Sequence, residues 1–256
     1  MLLKDKICVI VGAGSLRGIG YATAELFAEH GAKIVAVDIV MNDGISSEIK
    51  ASIDSKTGRD VDVIGIKCDI ADREDCTRLF SDVIARFGAV DCLVNSAAIV
   101  KAQPMLSIED AEFDRMINVN LKGAFNLCKA ALTIFAEQKR GAIVNVASVA
   151  AQRGGGIVGG AHYAASKGGV ISLTRTIARE FGPMGIRANV VCPSMTETGM
   201  LDGLSEERQK EIAATIPLQR AGRPVEIASA CLFLASDLAG YVTGATIDVN
   251  GGSHIH

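Results

Sequence analysis

The sequence predicts an α/β fold in one domain: a doubly wound sheet of about seven parallel strands with helices on both faces. Three observations predict it. Short apolar segments rich in β-branched residues alternate with longer helical segments along the whole chain. A glycine-rich loop follows the first apolar segment, and polar residues or a proline stand where most of the later ones end. Strands and helices in this alternation form a parallel sheet with right-handed crossovers.

The strands and helices are predicted from the spacing of apolar residues and from the glycines and prolines that end some of the segments. Apolar runs too short for helices predict buried strands at residues 6–11, 33–38, 61–68, 90–94, 142–147, 186–192 and 246–249. Helices are predicted at residues 21–30, 74–87, 109–138, 163–181, 205–215 and 224–235, the third of which either runs through or is interrupted. Gly31 ends the first helix, and Pro193 ends the sixth strand. No linker, repeat or composition shift divides residues 1–256, so one domain is expected.

Composition excludes several classes of protein. Hydrophobic residues make up 49% and charged residues 21% of the chain, so a packed core is expected and disorder is not. The formal net charge is −3 and no basic block is present, so nucleic acid is not an expected partner. The sequence has neither a signal-peptide layout nor an apolar run of the ~18 residues that span a membrane.

Cysteine and histidine usage gives two further expectations. The seven cysteines are scattered without a C-x-x-C pair, as in a reducing, cytoplasmic setting. The four histidines are His30, His162, His254 and His256, and none shares metal-ligand spacing with cysteines or carboxylates. We therefore expect a cytoplasmic protein without a metal site.

A glycine-rich loop joins the first predicted strand to the first helix: Gly12-Ala13-Gly14-Ser15-Leu16-Arg17-Gly18-Ile19-Gly20. The second strand then ends in Asp38. This order of strand, glycine loop, helix, strand and acid is typical of a dinucleotide-binding (Rossmann) unit. Backbone N–H groups of such a loop bind a pyrophosphate at the helix N-terminus, where side chains would hold it away. The alternative is a tight turn that needs glycine for its positive φ.

The stretch from Ser148 to Lys167 carries candidate catalytic residues. Ser148 directly follows the strand predicted at 142–147, and Tyr163 and Lys167, four residues apart, face the same side of the next helix. A free phenol has a pKa near ~10, and a neighbouring ammonium lowers it toward the range useful for proton transfer. The Ser148 hydroxyl can then hold a substrate oxygen. The alternative is an ordinary helix pair and a strand-end cap.

Further motifs extend this pattern over the whole chain. They are Gly18-Ile19-Gly20, Asp69-Ile70, Asn95-Ser96-Ala97-Ala98, Asn118-Val119-Asn120-Leu121-Lys122-Gly123, Ser148, Tyr163-Ala164-Ala165-Ser166-Lys167, and Pro193 followed by Thr198 and Met200. In order and context they resemble the short-chain dehydrogenase/reductase family from residue 6 to residue 252. The resemblance implies a seven-stranded parallel sheet and reversible hydride transfer between a nicotinamide cofactor and an alcohol/carbonyl pair.

The resemblance also implies a role for each matching residue. Tyr163 is the expected general acid/base and Ser148 orients the substrate oxygen. Lys167 lowers the pKa of the tyrosine and holds the nicotinamide ribose, and Asn120 supports a water-mediated proton relay. Expected cofactor contacts are Gly12, Gly14, Ser15, Arg17, Gly18, Ile19, Gly20, Asp38, Asp69, Ile70, Asn95, Ala97, Tyr163, Lys167, Pro193 and Thr198. Without the family, Asp69, Ile70 and Asn95 are strand-end turn residues and Thr198 caps a loop.

The chain departs from the family pattern in places. Val11 replaces the usual threonine, and the glycine loop is two residues longer than the common pattern, which leaves open whether Gly12 or Gly14 is the first glycine. Ala98 and Ser194 each replace a usual glycine. The spacing from the catalytic serine to the tyrosine is a little wide, which we interpret as a loop adjustment near the substrate entrance.

Asp38 favours NAD over NADP as the cofactor. Its carboxylate can accept hydrogen bonds from ribose hydroxyls and repels a 2′-phosphate. Arg17 is the contrary signal, since relatives that prefer the phosphate often carry a basic residue directly before this glycine. One flexible arginine does not compensate for a carboxylate in contact with a phosphate dianion, so NAD is predicted.

The substrate pocket is expected between residues 150–162, residues 99–105 and a substrate-binding segment at residues 194–216. Its mixed lining leaves open a secondary alcohol, polyol, sugar or hydroxy acid. A 3-oxoacyl carrier-protein reductase is one alternative, and a nucleotide-binding regulator without catalytic activity is another. By resemblance the assembly is a homotetramer, with Val170, Leu173 and Ile177 and the region of the C-terminal strand at an interface, unless these side chains pack in the core of the monomer.

Overall fold

The strands of the sheet are all parallel and lie close to their predicted positions. The computed structural model describes residues 1–155 and 159–256, so residues 156–158 of the predicted pocket loop lie outside the described residues. The strands are β1 (Ile7–Val11), β2 (Lys33–Asp38), β3 (Val63–Lys67), β4 (Cys92–Asn95), β5 (Gly141–Val146), β6 (Ile186–Pro193) and β7 (Thr246–Val249). Their order across the sheet is β3-β2-β1-β4-β5-β6-β7, which confirms the predicted fold class.

Helices connect the strands and cover both faces of the sheet. They are α1 (Ile19–Glu29), α2 (Asp43–Thr57), α3 (Arg73–Phe87), α4 (Asp110–Ile117), α5 (Gly123–Gln138), α6 (Ala150–Arg153), α7 (Ala161–Phe181), α8 (Glu206–Ala214) and α9 (Pro224–Ala235). In the described parts of the chain, none of the helices is both long enough and apolar enough to cross a membrane.

Two apolar layers sandwich the sheet. On one face α1, α2 and α9 pack against the strands through residues such as Phe27 and Ile227. On the other face α3, α5 and α7 do so through residues such as Phe135. Val9 of β1 belongs to the second layer and Ile10 to the first, as alternation along a strand requires. Burial on both faces explains why the strand segments are continuously apolar.

Helix α2 was not predicted from the sequence. Its mean hydropathy is low because only a narrow stripe, with Ile49 and Ile53, is buried against the sheet. The signals that specify it are local: the Asn42 side chain accepts a hydrogen bond from Ile45 N at 3.0 Å, and Gly58 ends the helix in the left-handed conformation. Cap residues with an i, i+4 apolar spacing could have identified this helix.

The long helix predicted at 109–138 is interrupted. A π-helical turn, Asn118–Lys122, separates α4 from α5 and places Asn120 in the interior. Such turns concentrate at functional sites, because the extra residue re-aims the side chains around it.

The predicted interface on α7 is wrong at two positions. Val170 and Ile177 are buried within the chain itself, so they are not available to a partner. The alternative interpretation, packing in the core of the monomer, is the correct one for both.

Candidate active site

The candidate site lies where the strand order reverses. β1 and β4 are neighbours in the sheet, while the chain leaves β1 toward β2 on one side and continues from β4 toward β5 on the other. Helices therefore diverge at this point and leave a crevice beyond the carboxyl ends of the strands, where ligands bind in folds of this kind. The glycine loop, Asn95 and Ser148 all lie at this edge, as the sequence predicted.

The glycine loop is shaped for an anion. Gly12 has φ +84° and lies so close to β4 that a Cβ would come within 2.7 Å of Ala97 N, while a Cβ on Gly20 would overlap the Gly12 carbonyl. Gly12 therefore takes the place of the first glycine. α1 begins at Ile19 without a side-chain cap and without an acidic residue in its first turn. Its N-terminal N–H groups and dipole suit a pyrophosphate.

Gly14, unlike Gly12, is in contact with Asp38. Gly14 N donates a hydrogen bond to Asp38 Oδ2 at 2.9 Å, and a Cβ on Gly14 would lie 2.7 Å from the carboxyl carbon. Asp38 Oδ1 accepts a longer hydrogen bond from Val40 N at 3.2 Å. The lengthened loop thus uses its second glycine to admit the carboxylate, whose oxygens keep lone pairs for further donors.

Arg17 is held on the other side of the loop, in contact with the substrate-binding segment. Its guanidinium donates two hydrogen bonds to Asp202, at 2.7 Å to Oδ1 and 3.0 Å to Oδ2. This pairing raises the pKa of Arg17. The side chain is well exposed, and its predicted contact with a cofactor competes with this ion pair. Ser15 Oγ accepts a long hydrogen bond from Arg17 N at 3.4 Å.

The remaining predicted cofactor contacts on the nucleotide side are engaged in local turns. Asp69 Oδ1 accepts from Ala71 N at 2.9 Å, and Asn95 Oδ1 accepts from Ala97 N at 3.2 Å. Ile70 is buried beside α5. The strand-end roles expected without the family are therefore present, and they fix the walls of the crevice.

Ser148 and Tyr163 meet in one cavity of about 150 Å³. Burial raises the pKa of Tyr163, and a hydrogen bond with the Ser148 side chain opposes that rise. Ser148 Oγ also accepts a hydrogen bond from Ala150 N at 3.1 Å, which fixes the hydroxyl at the start of α6. Gly159 leaves room for the phenol ring, since a Cβ there would come within 2.8 Å of the ring carbon Cγ.

Lys167 lies on α7 one helical turn after Tyr163 and is almost fully buried. Its Nζ donates a hydrogen bond to Val146 O at 2.7 Å. Burial lowers the pKa of Lys167 to about 8, because an ammonium loses its hydration there. The expected lowering of the Tyr163 pKa by this ammonium is not found: burial dominates, so the phenol is protonated at neutral pH.

Asn120 connects the π-helical turn to the loop after β4. Its Oδ1 accepts from Ile99 N and its Nδ2 donates to Ile99 O, both at 2.9 Å. Nδ2 also lies 3.1 Å from Ser166 Oγ, which in turn donates to Tyr163 O at 2.7 Å. The side chain thus joins the loop after β4 to α7, and both of its N–H groups have partners within reach. Ser166 is the link that sequence reasoning left without a role, although it stands inside the Tyr163–Lys167 motif.

The rest of the cavity lining is mixed, with apolar side chains in the majority. The apolar ones include Val100, Pro193, Met195, Met200, Leu201, Ile212 and Ile216, and the polar ones are Ser96, Arg153, Ser194, Thr196, Thr198, Thr215 and Ser253. Thr198 also caps the turn that follows it, accepting from Met200 N at 3.3 Å, which is the role expected for it without the family. Two side chains expected in the pocket lie elsewhere: Gln152 contacts Asp248, and His162 is buried away from the cavity.

The chain is similar in sequence and in structure to several known proteins. Residues 12–254 match a family described as Enoyl-(Acyl carrier protein) reductase. An uncharacterized short-chain type dehydrogenase/reductase of Sinorhizobium fredii is 46% identical over 258 residues, covering 100% of both chains. A 3-oxoacyl-[acyl-carrier-protein] reductase of Thermotoga maritima is 39% identical over 252 residues, covering 98% of this chain and 99% of the relative. The solved structure of levodione reductase has a TM-score of 0.91 at 34% identity and covers 98% of each chain.

Proposed function

This chain belongs to the short-chain dehydrogenase/reductase family, and we propose that it is an NAD(H)-dependent oxidoreductase acting on a secondary alcohol or its ketone. The observation that carries the proposal is the joint position of Ser148, Tyr163 and Lys167 in one cavity beside the glycine loop. The bound nicotinamide would supply the hydride acceptor or donor.

Tyr163 moves the proton. Its raised pKa keeps the phenol neutral at physiological pH, so Tyr163 is ready to donate a proton to a carbonyl oxygen during reduction. Ser148, which lines the same cavity as the phenol, holds the same substrate oxygen. Lys167, with a pKa lowered to about 8, still carries a positive charge at neutral pH, and it would hold the nicotinamide ribose. Asn120 and Ser166 position α7 and with it the phenol.

The cofactor fits the residues present. Gly12 and Gly20 leave the backbone bare at the N-terminus of α1, where a pyrophosphate needs N–H groups. Asp38 favours NAD, because its carboxylate is held under the loop by Gly14 and repels a 2′-phosphate. Arg17, the nearest basic group of the loop, is already paired with Asp202. We expect turnover with NAD(H) to exceed turnover with NADP(H); equal or faster turnover with NADPH would contradict the proposal.

The substrate is proposed to be largely apolar around its reacting oxygen. Side chains such as Val100, Met195, Leu201 and Ile216 offer no partner to the hydroxyl groups of a polyol or a sugar. Hydroxyls left unpaired in such a wall cost binding energy. A panel of apolar secondary alcohols and ketones, polyols and hydroxy acids, followed by NADH absorbance, tests this. Higher kcat/KM for polyols than for apolar alcohols of equal size would refute it.

A second candidate is a 3-oxoacyl carrier-protein reductase, since a relative with that name is 39% identical over 98% of this chain. The apolar cavity would also accept an acyl chain. Reduction of an acetoacetyl thioester, compared with a simple ketone under the same conditions, separates the two. A nucleotide-binding regulator would instead bind NADH and turn over no member of either panel.

The assembly is proposed to be a homotetramer in the cytoplasm. The seven cysteines are free and buried, as a reducing compartment allows. Large apolar side chains remain exposed on α4 and α5, at Phe113 and Phe125, and after α9, at Leu238 and Tyr241. Exposed apolar clusters are typical of interfaces. A molar mass of four chains by light scattering is expected, and a monomer would contradict the assignment.

A further inference from the structure

Residues 250–256 form a compact turn against the last strand. Ser253 N donates a hydrogen bond to Asn250 O at 3.1 Å, and Asn250 Nδ2 donates to His254 O at 3.2 Å. The turn places His254 and His256 beside Asp248 of β7. Sequence spacing did not point to this group, because the carboxylate comes from the strand and the imidazoles from the turn.

The two imidazoles are arranged as a pair of metal ligands. His254 Nε2 lies 3.4 Å from His256 Nδ1, and the rings are nearly perpendicular at 89°. A direct hydrogen bond between nitrogens would favour about 2.9–3.0 Å. Two nitrogens at ~2.0–2.1 Å from one tetrahedral metal ion stand about 3.4 Å apart. The separation is therefore long for a hydrogen bond and right for a shared ion.

The opposite nitrogen of His256 faces a carboxylate. His256 Nε2 lies 3.2 Å from Asp248 Oδ2. When Nε2 donates its proton to Asp248, the lone pair of the ring is on Nδ1, the atom that faces His254. A carboxylate behind a metal-bound imidazole commonly fixes its tautomer in this way. Asp248 is fixed in turn, since Gln152 Nε2 donates to its Oδ1 at 2.8 Å.

We propose that His254 and His256 bind a first-row divalent cation, with Zn²⁺ as the probe, and that Asp248 positions His256 for it. Imidazole nitrogen favours Zn²⁺, Co²⁺, Ni²⁺ and Cu²⁺ over Mg²⁺, which prefers oxygen ligands. His256 is exposed, so water can complete the coordination. The site is separate from the proposed proton transfer at Tyr163 and does not depend on it.

The site is connected to the wall of the cavity. Gln152 lies on α6, the helix whose first residue, Ala150, donates its N–H to Ser148 Oγ at 3.1 Å. From the same helix, Arg153 Nη1 donates to Ser253 O at 3.0 Å, and Ser253 lines the cavity. A bound ion would therefore order residues 250–256, which these hydrogen bonds already join to the segment that carries Ser148. We expect it to raise the thermal midpoint of the folded protein.

The test is metal binding by the full chain, measured by calorimetry with Zn²⁺ and by the visible absorption of Co²⁺. The wild type should bind one ion per chain, with the absorption of a nitrogen-ligated, low-symmetry Co²⁺. His254→Gln and His256→Gln should abolish saturable binding. Asp248→Asn should weaken it by about 10- to 100-fold while leaving the Co²⁺ spectrum at saturation unchanged, as a positioning role requires. His30→Gln, a histidine remote from the turn, is the control and should bind as the wild type does.

Retained nucleotide binding shows that each variant is folded. Three results would overturn the proposal: wild type that does not bind Zn²⁺ saturably, His254→Gln and His256→Gln that bind as the wild type does, or Mg²⁺ that competes on equal terms with Zn²⁺. The first two results would mean that the three side chains are a surface cluster that binds no metal ion, and the third that the ion is held by oxygen ligands and not by the imidazoles.

Discussion

The glycine loop, residues 12–20, and the substrate-binding segment, residues 194–216, border the same cavity but are held in different ways. The loop is anchored through its backbone to β2: the N–H groups of Gly12 and Ala13 both donate to Val37 O, at 2.8 and 3.1 Å. These backbone bonds continue the parallel pairing of β1 with β2 past the end of β1.

The substrate-binding segment depends on distant partners. Gly222 N donates to Met195 O and Glu197 N donates to Gly222 O, both at 2.9 Å, which joins it to the loop before α9. α8 buries Ile212 and presents its other faces to solvent. The difference teaches that the cofactor side is encoded in a contiguous motif, whereas the substrate side is assembled from residues far apart in sequence.

The largest expected effect separates chemistry from nucleotide binding. Tyr163→Phe removes the hydroxyl and keeps the ring, so kcat/KM should fall by about 10²- to 10⁴-fold. The affinity for NADH, measured by fluorescence titration, should change little. Tyr241→Phe, at a fully exposed tyrosine, is the matched control and should leave kcat/KM unchanged. Unchanged turnover in Tyr163→Phe would move the proton transfer to another group.

The next effect concerns the pH dependence of stability and arises from the burial of Lys167. The folded-state pKa of Lys167 is about 8, below its ordinary value of 10.5, so the unfolded chain binds more protons between these two pH values. Stability therefore rises with pH across that window, by up to about 3 kcal/mol. The control is Lys167→Met, which lacks the titrating group. Other groups contribute equally to the pH dependence of both proteins, so the difference between them isolates the contribution of Lys167. Denaturant unfolding at pH 7 and pH 10 should show the difference; parallel curves would mean that Lys167 is hydrated in solution.

The choice between NADH and NADPH should depend on Asp38, which contacts the glycine loop. Asp38→Ala removes hydrogen bonds from a charged acceptor, so kcat/KM with NADH should fall by about 10- to 100-fold. Turnover with NADPH should fall less or rise, because the repulsion of its phosphate is also removed. Asp43→Ala, an exposed acid at the start of α2, controls for net charge. A uniform loss with both cofactors would indicate that Asp38 only holds Gly14 in place.

The same contrast explains how far the sequence could predict the molecule. The strand positions, the bare glycines and the joint position of Ser148 and Tyr163 follow from local patterns, because strand ends and helix periods decide them. The pairing of Arg17 with Asp202 does not, since the two residues belong to different halves of the chain. Nor does the raised pKa of Tyr163, because spacing identifies a neighbouring ammonium but not how deeply both groups are buried.

The smallest expected effect tests whether the ion pair between the glycine loop and the substrate-binding segment influences the choice of cofactor. Asp202→Asn releases Arg17 from its ion pair, so the guanidinium becomes free to meet a 2′-phosphate. The pair is exposed, and such pairs are weak, so kcat/KM with NADPH should rise only about two- to fivefold while NADH is unaffected. In an Arg17→Gln background the same substitution should bring no gain, since the freed base is missing. If Asp202→Asn instead raised KM for the alcohol or ketone equally with both cofactors, the ion pair would serve to hold the substrate-binding segment, and Arg17 would have no part in cofactor choice.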